Sequence, residues 1–116
     1  MAEQPNGGFL IPPDLTISTL RDQVTALAAR HAVPAIYSNR LYVVRGGLVS
    51  YGAEFGGEIF RRAASYVDRI LRGEKPADLP IQQPTKYRLD INLKAAKALG
   101  LEIPPSVLVM ADEVIE

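Results

Sequence analysis

Two short apolar runs with a helical pattern between them constrain the fold of this chain most strongly. The first run, residues 9–11 (FLI), is followed by the turn sequence Pro12-Pro13-Asp14, and the second run is residues 34–37 (PAIY). Thr16 or Ser18 can cap the helix between them. Its apolar face contains Leu20, Val24, Leu27, Ala28 and His31. A strand, a helix and a strand within about thirty residues predict a βαβ unit, in which the two strands run parallel.

A long amphipathic helix is predicted from Glu54 to about Arg72. Two charge pairs at i,i+4 spacing support its polar side, Glu58 with Arg62 and Asp68 with Arg72. Gly73 suits the left-handed end of a helix. The apolar stripe of this helix contains Phe55, Ile59, Ala63, Tyr66 and Ile70. Residues 48–52 (LVSYG), just before it, are a third strand candidate.

The C-terminal third predicts one more strand and two more helices. Tyr87, Leu89 and Ile91 alternate with polar residues, which is the period of a half-buried strand. Helical spacing then runs from Asn92 to Gly100, and a short helix is expected after Pro105. The fold class is therefore α/β with a largely parallel sheet. Three or four strands are few for such a sheet, so we expect part of its cover to come from another chain or from a longer protein.

Composition excludes several classes of function. The chain has 116 residues, so it is at most one domain of ordinary size. Thirteen basic residues balance thirteen acidic ones, which argues against nucleic-acid binding. There is no cysteine and only one histidine, His31, so neither a thiolate site nor a multi-histidine metal site is expected. The glycine pairs fit no phosphate-binding motif. No catalytic motif and no cofactor is predicted.

Five polar or aromatic residues follow the predicted strands. In open α/β sheets, ligands bind at the carboxyl ends of the strands. Carboxylate, hydroxyl and amide groups beside an aromatic wall would suit a small zwitterion or a polar metabolite. Ordinary turn chemistry explains the same residues equally well, and both interpretations stay open. The candidate ligand-binding residues are Asp14, Tyr37, Ser38, Asn39 and Tyr51.

Three stretches together closely resemble the C-terminal part of a bacterial protein family. They are residues 46–52 (GGLVSYG), residues 66–86 (YVDRILRGEKPADLPIQQPTK) and residues 91–106 (INLKAAKALGLEIPPS). The family contains the ABC-transporter substrate-binding proteins of the tryptophan/tyrosine uptake type. The resemblance covers residues 8–116, which would form one α/β domain after an N-terminal tail of residues 1–7.

The resemblance implies part of a type I periplasmic-binding fold, in which two lobes joined by strand crossings close on a ligand. Residues 8–37 would belong to the second lobe, residues 48–52 to a crossing and the 54–72 helix to the first lobe. Residues 83–92 (QPTKYRLDIN) would cross back, so the partners of the late strand would lie partly outside this chain. Residues 11–14 (IPPD) contain a proline where many relatives have a more polar residue.

The same resemblance implies a non-enzymatic function. The chain would be a solute-binding component, or its C-terminal fragment, that binds an amino-acid-like ligand for an ABC permease. Asp14, Ser38, Asn39 and Tyr51 fall where the family lines its cleft. The family location is periplasmic; the sequence as given shows no signal peptide, which would make a genuine full-length product cytoplasmic. The alternative is an oligomeric truncated domain without transport function, a scaffold or a ligand-responsive module. Either way, the exposed 54–72 stripe predicts a homodimer.

Overall fold

A computed structural model describes residues 7–54 and 56–116. One five-stranded sheet organises them, and the strand order across the sheet follows the order along the chain. The predicted strands at 9–11, 34–37, 48–52 and 87–92 are all present. A fifth, which sequence reasoning missed, follows the last helix. The strands are β1 (Phe9–Ile11), β2 (Ala35–Tyr37), β3 (Val49–Ala53), β4 (Tyr87–Asn92) and β5 (Glu113–Ile115).

Six α-helices connect or flank these strands, which confirms the α/β class. They are α1 (Leu15–Thr19), α2 (Arg21–Arg30), α3 (Arg40–Val44), α4 (Gly57–Leu71), α5 (Leu93–Ala98) and α6 (Pro105–Met110). The predicted N-cap of the first helix is wrong. Asp14 caps α1, because its carboxylate accepts a hydrogen bond from the backbone N–H of Ile17 at 2.8 Å. Gly73 has φ of +100° just beyond α4, as expected of a helix end.

The strand directions explain how the chain doubles back. Strands β1, β2 and β3 are parallel, β4 is antiparallel to β3, and β5 is parallel to β4. The parallel βαβ prediction is confirmed. The expectation that β4 pairs partly outside the chain is wrong, because β3 and β5 pair with its two edges. In the described residues, no helix combines the length and apolar character needed to cross a membrane.

Strand register places very different side chains on the two faces of the sheet. Successive strand residues point to opposite faces, so partners in register share one face. One face carries what we call the aliphatic row: Leu10, Ile36, Val49, Ile91 and Val114. The other face carries what we call the mixed row: Ile11, Tyr37, Ser50, Asp90 and Glu113.

The core lies on the mixed-row face, where α2 and α3 pack. Tyr37 and Tyr42 are buried and stacked, with ring centroids 4.9 Å apart, and Ala28 and Ala35 complete the cluster. Burial and the neighbouring Tyr42 raise the pKa of the Tyr37 phenol above its ordinary value. The aliphatic row is mostly open: Leu10 is 76% exposed and Ile36 is 44% exposed.

Helix α4 has no buried residue, although it is the longest helix. Ile59 and Tyr66 of the predicted stripe are half-buried, and the Tyr66 hydroxyl donates a hydrogen bond to the Pro80 carbonyl at 2.5 Å. Ile70 stays 40% exposed and Ala63 is exposed. Phe55 lies outside the described residues. The most exposed stripe is a neighbouring one, which we call the α4 stripe: Phe60, Ala64, Val67 and Leu71.

Candidate functional site

The segments after β1 and β2 are held in place by their own side chains. Asp14 caps α1, as described above. Asn39 caps α3, because its side-chain oxygen accepts a hydrogen bond from the backbone N–H of Leu41 at 3.1 Å. The Asn39 amide N–H also lies 3.5 Å from the Ser38 hydroxyl, which is buried. Both caps are local, so residues 14 and 38–39 form ordered turns at the carboxyl ends of the two strands.

An open cleft of about 460 Å³ lies where these strand ends meet the antiparallel pair β3–β4 at the end of β3 and the start of β4, which we call the β3–β4 crossing. It is bounded on one side by the residues after β2 and on the other by the ends of β3 and β4. Both signs of charge occur on its walls. The lining residues that matter for its chemistry are Asn39, Arg40, Gly52, Glu54, Arg88 and Asp90.

Gly52 allows the crossing strand to approach the β2 turn. A Cβ atom added at Gly52 would lie 2.0 Å from the Ser38 carbonyl oxygen and 3.0 Å from its carbon. Only a residue without a side chain fits at that separation, because the obstructing atoms are backbone atoms. The backbones of β3 and of the β2 turn therefore approach each other closely beside the cleft.

An ion network forms the floor of the cleft. Arg40 donates two hydrogen bonds to the Glu113 carboxylate, at 2.6 and 2.7 Å. Arg88 donates to Glu113 at 2.5 Å and to Asp90 at 2.6 Å, and Asp90 also accepts from the Ser50 hydroxyl at 3.2 Å. The Asp90 side chain is only 1% exposed, so loss of these partners would leave a polar group buried without hydrogen bonds.

The network stabilises the ionised form of Glu113. Hydrogen bonds from Arg40, together with the charges of both arginines, lower the pKa of the Glu113 carboxyl below its ordinary value. Two guanidinium groups and two carboxylates make the network neutral as a whole. Each arginine binds through Nε and Nη2, so within the part of the chain that the structure describes the Nη1 donors of Arg40 and Arg88 are left for another acceptor.

The five residues predicted from sequence do not all meet in this cleft. Asn39 lines the cleft. Ser38 does not line it, but its buried hydroxyl accepts a hydrogen bond from the Asn39 side-chain amide. Asp14 is an exposed cap, connected to the cleft through Ser18, whose hydroxyl donates to the Asp14 carbonyl at 2.6 Å. Tyr37 lies in the core at 2% exposure. Tyr51 points to the aliphatic-row face, because it neighbours Ser50 in β3, and there it stacks on Tyr87 with centroids 5.8 Å apart.

Sequence reasoning missed three charged residues that line the cleft, Arg40, Arg88 and Asp90, and also Glu113, which pairs with both arginines. Arg88 and Asp90 are the polar residues of an alternating strand, and that alternation normally indicates a solvent-facing edge. Nothing in the spacing shows that Glu113, on a strand of three residues, lies against both arginines. The one available signal was the position of Arg40, directly after the predicted β2 turn.

The comparison with protein families is decisive. A family profile described as ABC transporter substrate binding protein matches residues 1–115. The chain belongs to this family. Because the match covers nearly the whole chain, it confirms the family suggested by the sequence motifs.

Solved structures extend this result to the fold. A conserved domain protein from Vibrio cholerae is 30% identical with a TM-score of 0.83, over 90% of this chain and 35% of that one. The ABC domain in complex with L-Trp from Streptococcus pneumonia is also 30% identical, with a TM-score of 0.81 over 93% of this chain and 37% of that one. This substrate-binding family member therefore spans about a third of the length of these structures.

A more distant structure agrees in fold alone. It is the ligand-free, open form of a substrate binding protein with adhesive properties from Clostridium difficile. Its identity is 23% and its TM-score 0.57, over 91% of this chain and 35% of that one. A search of curated proteins gives no match.

Proposed function

We propose that this chain is the solute-binding component of an ABC-type import system, or the C-terminal part of one. Its ligand is a small organic solute of the amino-acid type. The chain would act in the periplasm, where its partner is the membrane-spanning ABC permease. The observation that carries the proposal is the cleft at the β2 turn and the β3–β4 crossing, with guanidinium and carboxylate groups on its walls. The family match and the relative in complex with L-Trp support it.

The chemistry of the cleft suits a zwitterion. Among the described residues, the Nη1 donors of Arg40 and Arg88 are available to a ligand carboxylate, and charge-assisted hydrogen bonds from a guanidinium group suit that acceptor. Glu54 is exposed at the opposite rim and can accept from a ligand ammonium group. The Asn39 amide, with Ser38 behind it, adds a neutral donor and acceptor. We propose Ser38 and Asn39 as ligand residues, with Asp14 fixing the neighbouring turn.

Calorimetry and thermal unfolding with aromatic and branched amino acids test this function. A ligand that binds only the folded state stabilises it by about 2.7 kcal/mol at a hundredfold excess over Kd. We therefore expect a melting temperature that rises with ligand concentration. Chemically matched amines and carboxylic acids that lack the second charge should bind far less tightly. No saturable shift with any amino acid at millimolar concentration would contradict the proposal.

A pair of cap-preserving variants separates binding from folding. Asn39→Asp keeps a good N-cap for α3 but places a carboxylate in the cleft, so affinity for a zwitterion should fall about tenfold or more. Asp14→Asn is the matched control, because it keeps the α1 cap and lies outside the cleft. Equal affinity in both variants would remove Asn39 from the site.

A homodimer through the 54–72 helix is the second part of the proposal. The α4 stripe exposes Phe60 by 67% and Leu71 by 81%, and exposed apolar stripes of this kind favour association. Light scattering should therefore give about twice the monomer mass of 12.6 kDa. A monomer at micromolar concentration would contradict the dimer while leaving the solute-binding proposal intact.

The second candidate function is an oligomeric domain without transport activity, a scaffold or a ligand-responsive module. One observation favours it: the cleft is an open depression rather than an enclosed cavity. Dimerisation without amino-acid binding would support this candidate over the first.

A further inference from the structure

The aliphatic row is an unusual surface for a sheet with parallel strands. Such sheets normally have helices on both faces. Here α2 and α3 cover the mixed-row face, whereas Leu10 and Ile36 stay 76% and 44% exposed on the other. Val114, at the far end of the row, is 37% exposed, and only Ile91 is fully buried. The β1–β2 part of this face therefore has an opening for an apolar partner.

The chain itself contains an element of the required kind. Helix α4 has fifteen residues, strongly separated polar and apolar sides, and no buried residue. Its stripe exposes Phe60, Val67 and Leu71 by 67%, 56% and 81%. An amphipathic helix and a bare sheet face are the two halves of the usual helix-on-sheet layer of α/β proteins.

We propose that, in the homodimer proposed above, α4 of each copy packs on the aliphatic row of the other copy. This inference depends on that dimer and adds where the helix docks: on the sheet face at Leu10 and Ile36, not on the partner's α4. A two-fold arrangement makes the same contact twice.

The area is consistent with a stable dimer. Three large side chains of the α4 stripe and two of the aliphatic row, Leu10 and Ile36, each expose more than two fifths of their surface. Counted twice by symmetry, their burial is on the order of 1,200 Å², which is the lower end of the range for specific interfaces. Helix-to-helix packing through the α4 stripe alone would bury about half as much and would leave both aliphatic rows exposed to water.

Disulfide cross-linking tests this geometry. The chain has no native cysteine, so only the introduced cysteines can form a disulfide. Val67→Cys and Ile36→Cys proteins, distinguished by a size tag, are mixed, allowed to exchange subunits and oxidised mildly. The control mixes Val67→Cys with Val44→Cys. The exposed fraction of Val44, 48%, is similar to the 44% of Ile36. Val44, however, lies on α3, which covers the opposite face of the sheet. We expect the 67–36 disulfide to form at least tenfold faster than the 67–44 disulfide.

The outcomes separate the docking from the dimer itself. A dimeric mass with cross-links only between two Val67→Cys chains would refute helix-on-sheet docking while keeping the dimer. A monomeric mass would refute both. As a second measurement, Leu71→Glu should raise the dimer dissociation constant about tenfold or more, and Ile36→Glu should do the same. Circular dichroism checks that both variants are folded, and Val44→Glu should leave the dissociation constant within about twofold.

Discussion

Substitution of Gly52 by alanine is the sharpest test of how the crossing is built. The new Cβ atom would lie 2.0 Å from the Ser38 carbonyl oxygen, and real Cβ contacts below 3.0 Å essentially do not occur. Strands β2 and β3 would therefore have to separate by about 1 Å, the difference between these two distances. Because the obstructing atom belongs to the backbone, a change of side-chain rotamer cannot relieve the clash.

The expected cost is about 3 kcal/mol, the upper end of the usual range for overpacking. For a chain whose total stability is about 5–15 kcal/mol, that is a fifth or more of the unfolding free energy. Urea unfolding followed by far-UV circular dichroism measures the difference directly. The melting temperature should fall by about 10 °C or more.

Gly57→Ala is the matched control. A Cβ atom there would meet only the end of the flexible Arg61 side chain, at 3.3 Å, and the residue begins α4. Alanine should stabilise that helix by about 0.5–1 kcal/mol or leave it unchanged. If the free energy of unfolding of Gly52→Ala is within about 0.5 kcal/mol of that of the parent protein, the close approach of Gly52 to Ser38 does not constrain the fold.

Three further predictions concern polar groups of the core and of the ion network. Tyr42→Phe should stabilise the protein by about 1 kcal/mol in thermal unfolding, because the Tyr42 hydroxyl is buried without a hydrogen-bond partner among the described residues; a loss of stability would reveal a partner such as bound water. Arg88→Met should cost about 3 kcal/mol in urea unfolding, because Asp90 would stay buried with only a hydroxyl partner. Adding Asp90→Leu should recover much of that loss, and an additive result would exclude the pairing. The Glu113 pKa is lowered from 4.5 in the folded state, so its contribution is present above pH 4.5 and is lost as the pH falls through the folded value. The stability advantage of the parent over Glu113→Gln should therefore shrink below pH 4.5, and a constant difference between pH 7 and pH 3 would contradict it.

Much of the fold could be predicted from local patterns. The βαβ unit follows from two apolar runs and one helical face, and β4 follows from strict alternation at Tyr87, Leu89 and Ile91. Strand β5 could not be found in this way. Its three residues are too short for a periodic signal, and β4, which pairs with them, lies some twenty residues earlier.

The candidate site could be predicted only in part. The position of Ser38 and Asn39 follows from the general rule for ligands at strand ends. The orientation of Tyr51 does not, because a shift of one residue in the assumed register moves a side chain to the other face of the sheet. The buried state of Asp90 depends on Arg88 and Ser50 together, and no single segment encodes it.

The sequential order of the five strands has a consequence for how such a segment can arise. In the described part of the chain, no strand from another segment lies between two neighbouring strands. A longer gene could therefore gain or lose this segment without breaking a strand pair inside its sheet. New strands can join only at the outer edge of β1 or of β5. The surfaces through which residues 8–116 depend on their surroundings are therefore the two outer strand edges, the bare face at Leu10 and Ile36, and the α4 stripe.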